Sequence, residues 1–143
     1  MKVDLFAFCL AASRGSFGEL NILGLTDIIA LPKFPAAITN CSIVAKMRFD
    51  EVEAGPKEVK FSIINADGKI LASPPPQTFN IQMPPGVPSA TVGVVVSILN
   101  LQIPTPGQYQ IGMAVNQREE GTIPLHFLQM LSTQAPLAGQ QAA

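Results

Sequence analysis

Apolar and polar residues alternate in short runs that proline and glycine cut apart, and this pattern constrains the chain more than any other. In PTPGQYQIGMAV (104–115), Tyr109, Ile111, Met113 and Val115 share one parity, and Gln108, Gln110, Gly112 and Ala114 the other. CSIVAKMRF (41–49) repeats the device, with Cys41, Ile43, Ala45, Met47 and Phe49 opposite Ser42, Val44, Lys46 and Arg48. A two-residue period is the mark of a strand with one face buried, because successive side chains leave the backbone on opposite sides. Gly and Pro contribute 11 and 13 residues and fall between these runs, the punctuation of many short strands.

Further strands follow by the same rule. Residues 2–9 form the first, with Val3, Leu5, Ala7 and Cys9 on one face and Lys2, Asp4, Phe6 and Phe8 on the other. NILGLTDIIAL (21–31) reads as one strand bent at Gly24. EVKFSII (58–64) buries Val59, Phe61 and Ile63, and the Asp67-Gly68 pair after it suits a tight hairpin. Pro74-Pro75-Pro76 and PPGVP (84–88) flank a short edge strand, TFNIQM (78–83). In ATVGVVVSILNLQI (90–103), β-branched residues favour a strand, with Val92, Val94, Val96 and Ile98 inward and Gly93, Val95 and Ser97 outward. TIPLHFL (122–128) closes the set with Ile123, Leu125 and Phe127 inward. Tyr109 follows the corner Thr105-Pro106-Gly107, an arrangement resembling a tyrosine corner, whose hydroxyl bonds back to upstream backbone.

These readings give an all-β, immunoglobulin-like antiparallel Greek-key β-sandwich of about seven to nine strands. Residues 1–130 make one domain, and 131–143, which have no period, form a flexible C-terminal tail. A chain of 143 residues is long enough to bury a core without staples.

Composition narrows the partners. Nine basic and ten acidic residues give a net charge of -1, which leaves no field to neutralise phosphates, so nucleic acid is excluded. No run approaches the ~18 apolar residues of a membrane span. MKVDLFAFCLAAS faintly mimics an export signal, but Asp4 interrupts it, and we read a strand in a cytoplasmic protein. Cys9 and Cys41 are too few for a disulfide framework and lack metal spacing. Two buried free thiols are the reading; an inter-strand disulfide in an oxidising compartment is the rival.

The order MKVDLFAFCLAA, LNILG, a Phe-Pro before a strand ending in Arg-Phe, INADGK, PPG and PGQYQIGMAV resembles an uncharacterised bacterial family of single-domain proteins that carry a domain-of-unknown-function label. The resemblance spans about 1–128 and rests on turn and core residues. It implies a fold and carries no catalytic or binding residues across.

No catalytic set emerges from the residues. His126, the only histidine, takes the parity opposite Leu125 and Phe127, facing solvent and away from any nucleophile. Asp50, Glu51 and Glu53 cluster without the Asp-x-Asp spacing of calcium loops and read as a solvated turn. No phosphate-binding glycine motif occurs, and Trp is absent, so no cofactor or metal is expected. Parity instead leaves Phe6, Phe8 and Val95, with Ile64, on outer faces. The expected function is therefore a non-catalytic protein-interaction or self-association module, a homodimer being the simplest form. A secreted or envelope-associated ligand-binding sandwich and an enzyme of unrecognised type are the alternatives.

Overall fold

Residues 1–130 are described by a computed structural model, and the expected tail at 131–143 lies outside them. In chain order the strands are β1 (Lys2–Arg14), β2 (Leu20–Leu25), β3 (Ile28–Leu31), β4 (Ala36–Asp50) and β5 (Gly55–Asn65). They continue as β6 (Ile70–Ala72), β7 (Gln77–Ile81), β8 (Ser89–Ile103), β9 (Gly107–Val115) and β10 (Arg118–Gln129). Four strands form one sheet in the order β2-β1-β4-β8. The other sheet runs β3-β10-β9-β5, with β6 and β7 sharing the far edge of β5.

The chain crosses between sheets after β2, β3, β4, β7 and β8, and only then returns through the β9–β10 hairpin. This is a Greek-key sandwich. Strand β3 pairs parallel with the last strand, β10, while every other pairing is antiparallel. The expected second strand, 21–31, is therefore two strands in different sheets. The break falls at Thr26-Asp27, where the Thr26 side chain bonds the Ile28 backbone and turns the chain.

The inner faces carry the core. Ile43, Met47 and Phe49 of β4 meet Val59, Phe61 and Ile63 of β5 and Ile111 and Met113 of β9, all buried. Each comes from a clean alternation, which explains why sequence parity placed these residues without error. Tyr109 joins the same layer, stacked edge-on to Phe127 with ring centroids 5.4 Å apart. Its hydroxyl donates to the Thr105 carbonyl at 2.7 Å, which fixes the β8–β9 crossing.

Two local irregularities change which side chains reach the core. In β1 the register against β4 shifts between Val3 and Leu5. Val3 pairs with inward-facing Met47, and beyond the bulge Phe6 pairs with Ala45 and Phe8 with Ile43, also inward. In β8, Asn100 adopts φ 56, a left-handed conformation that Asn tolerates better than most residues. The strand turns there, so Leu101 and Ile103 become buried although their parity is opposite to that of Val94 and Val96.

Candidate functional site

The surface expected from parity does not exist as drawn. Phe8, expected to face outward, is 2% exposed in the core. Phe6 is half-buried and packs on Phe61, centroids 5.9 Å apart. The β1 bulge is the physical reason, since one extra residue moves every later side chain to the other face. Val95 does point outward, but it is half-buried, and its register neighbour Val44 is fully buried on the same outer face. Ile64 is half-buried on the outside of the six-stranded sheet.

The β1–β2 hairpin folds back onto the outer face of its own sheet, where Arg14, Leu20 and Ile22 line a cleft with Lys46 and Gly93. Leu20 of the hairpin lies so close to Gly93 of β8 that a Cβ there would sit 2.9 Å from Leu20 Cδ2. Gly93 is thus a site of close approach. Gly24 plays a similar part within the hairpin, at φ 75 and under the Leu10 side chain.

Several apolar side chains of this hairpin are exposed, as are Val52, Ile70, Val87 and Leu99 elsewhere. Leu23 is 72% exposed, Leu25 62% and Phe17, at the tip, 93%. Leu10 on the same hairpin, Ile28 on β3 and Leu128 on β10 are also exposed. Strands β2 and β3 are edge strands of the two sheets, and β2 (LNILGL) carries neither the charge nor the proline that commonly blocks an edge. Parity did not single out Leu23, Leu25 and Ile28 because it treated 21–31 as one strand bent at Gly24. The available signal was apolar residues on both parities of a stretch interrupted by glycine.

Neither thiol is activated as a nucleophile. Cys9 pairs in register with Ser42, so Cys9 and Cys41 lie on opposite faces of the sheet and both are free thiols. Burial pushes the Cys41 thiol up to about 11, with Cys9 nearby adding to the effect, and burial also raises Cys9. Both thiols are protonated at neutral pH, the unreactive form. His126 is half-buried on β10 beside β3. Asp50 and Glu51 are exposed. Glu53 is held below the usual carboxylate range, chiefly by the Asp50 backbone N–H donating at 2.9 Å and then by the Met1 ammonium. Among the described residues, no group of three or more His, Cys, Asp or Glu could hold a metal ion. Nor, among them, is any helix long and apolar enough to cross a membrane.

Two sheets crossed in this order, with residues 21–31 divided between them and a parallel pairing of β3 to the last strand, define an immunoglobulin-like β-sandwich. The chain belongs to a family of unknown function, DUF6941, whose model matches residues 4–128. No curated protein matches it. Among solved structures it is similar to a β-glucosidase from Listeria innocua in complex with glucose, with a TM-score of 0.52 and 8% identity over 89% of this chain. The chain spans only 16% of that enzyme, and the likeness concerns the fold alone. The same enzyme in complex with isofagomine gives a TM-score of 0.51 at 7% identity, over 88% of this chain and 17% of the other. An immunoglobulin-like protein from Pseudomonas aeruginosa matches over 88% of this chain and 94% of its own, at 12% identity and a TM-score of 0.35.

Proposed function

We propose that this protein is a non-catalytic β-sandwich module that associates with another protein chain, in its simplest form a second copy of itself. The observation that carries the reading is the exposure of apolar side chains on neighbouring strands at one edge of the sandwich, Leu10 on β1, Leu23 and Leu25 on β2, Ile28 on β3 and Leu128 on β10. Exposed apolar side chains gathered at one edge of a sandwich are costly for a monomer and favour a partner. A two-fold arrangement would bury the same residues from both copies at once. The reading includes a reducing, cytoplasmic setting, supported by two buried thiols that the sheet holds on opposite faces.

Light scattering at micromolar concentration tests it. The expected result is a wild-type dimer and a folded monomer for Leu23→Asp combined with Leu25→Asp. Both side chains are exposed, so their replacement leaves the core intact. A monomeric wild type removes self-association. If the variant also leaves partner recovery unchanged, the hairpin surface loses its assigned role altogether.

A further inference from the structure

The outer face of the four-stranded sheet has a charge character unlike the rest of the molecule. Lys2 pairs with Arg48, and Lys46 lies on the same face, so three cations share it. Arg14, from the end of β1, joins Lys46 around a cleft between the folded-back hairpin and the sheet. Four of the nine basic residues thus collect here, with Asp4, Glu19 and Asp50 as the carboxylates on the same side. The face carries a small positive excess on a chain whose net charge is -1. Asp4 is already engaged, at 2.8 Å from Arg48. Glu19 is partly engaged too, accepting the Phe17 backbone N–H at 2.8 Å. Arg14 and Lys46 form no ion pair among the described residues.

The cleft measures about 620 Å³, within the usual ~300–1,000 Å³ of ligand sites. Its apolar lining comes from Leu5, Leu20, Ile22 and Val92, with Phe17 at the rim. Gly93 is the small residue that lets the hairpin approach so closely. The arrangement offers a recess lined by apolar and polar residues alike, two cations that form no ion pair among the described residues and an exposed aromatic at the lip. A partner complementary to it carries negative charge on either side of one apolar side chain.

We propose that this cleft binds an acidic protein segment that inserts an apolar side chain between Arg14 and Lys46. The proposal rests on the reading of the chain as a protein-binding module and uses a different surface of the hairpin from Leu23 and Leu25. A flat anionic bilayer would meet the same charges but would not reach a floor recessed beneath the hairpin, and it would meet the Glu19 carboxylate at the rim. Concavity therefore favours a peptide.

The test uses the full chain and a fluorescein-labelled probe, Glu-Glu-Leu-Phe-Glu-Glu, followed by polarisation and by amide shifts. The expected result is saturable binding that weakens at molar salt, with shifts centred on Arg14, Phe17, Lys46 and Gly93. Replacing the probe's Leu-Phe by Ser-Gly, or the protein's Arg14→Glu and Lys46→Glu together, should weaken binding by about tenfold or more. If the charge-reversed pair fails to fold, Phe17→Ser, at an exposed tip, supplies the same comparison. Absence of saturable binding, shifts elsewhere, or equal binding of Lys-Lys-Leu-Phe-Lys-Lys would overturn the proposal. So would binding to phosphatidylglycerol–phosphatidylcholine vesicles without binding to the probe, which would make the occupant a membrane. Light scattering of wild type and the Leu23, Leu25 variant reads the other surface, so either reading can fail while the other stands.

Discussion

The two outer faces of the sandwich come from the same kind of strand yet are treated in opposite ways. On the six-stranded sheet, Gln110 and Thr122 face outward and are exposed, with Ser62, Gly112 and Ala114 half-buried between them. On the four-stranded sheet, Cys9, Ser42 and Val44 face outward and are buried, and the β1–β2 hairpin folds back onto this side at Gly93. A sheet covered on both sides needs apolar residues on both parities, so its strands lose their alternation. β1 and β8 show this as the runs LFAFCLAA and VGVVVSIL, where parity carries little information about direction. β5 and β9, covered on one side only, alternate cleanly. Weak alternation in a β-protein is thus itself a signal, and it points to a second cover.

Four substitutions break or sharpen this contrast. The largest effect belongs to Phe8→Ala. If Phe8 sits in the core, as the β1 bulge requires, the change costs about 3–5 kcal/mol, the range for large aromatic truncations. Urea denaturation measures it, and an unchanged midpoint would return Phe8 to the surface. Gly93→Val comes next, since the added carbons occupy the space that Leu20 fills. Overpacking of this kind costs about 1–3 kcal/mol, and increased proteolytic cutting within 10–25 would show that the hairpin had lifted.

Tyr109→Phe keeps the ring against Phe127 and removes only the hydrogen bond to Thr105. The expected loss is about 0.5–1.5 kcal/mol in the denaturation midpoint, with oligomeric state unchanged. The smallest effect has the opposite sign. Gly112 faces the open sheet, where a Cβ would meet only the Ser62 hydroxyl, at an ordinary 3.6 Å. Gly112→Ala should therefore stabilise by about 0.4–1 kcal/mol, by restricting the unfolded chain. Loss of stability there would mean that the outer face of the six-stranded sheet is covered after all.

Much of the architecture was legible before any coordinates. The β4, β5, β9 and β10 core residues, the Asp67-Gly68 turn and the corner at Tyr109 follow from local rules of parity and turn chemistry. Glycine at Gly68 adopts φ 82 as that turn requires. The exposed apolar residues were not legible. Phe6 and Phe8 were placed outside by parity counted through a bulge, while Leu23 and Leu25 were read only as part of a bent strand and Leu10 fell beyond the first one.

The sequence by itself determined the periodic part of this protein: an all-β chain, its inward residues wherever alternation is clean, and the turns that glycine, proline and asparagine permit. These are properties of a few neighbouring residues and need no partner. The tertiary structure alone decided three other things: the bulge that turns Phe6 and Phe8 inward, the division of 21–31 between two sheets, and the folding of the hairpin onto Gly93. Each depends on which distant strand lies alongside. A register is a relation between two segments, and so is a cover; neither is written in either segment alone.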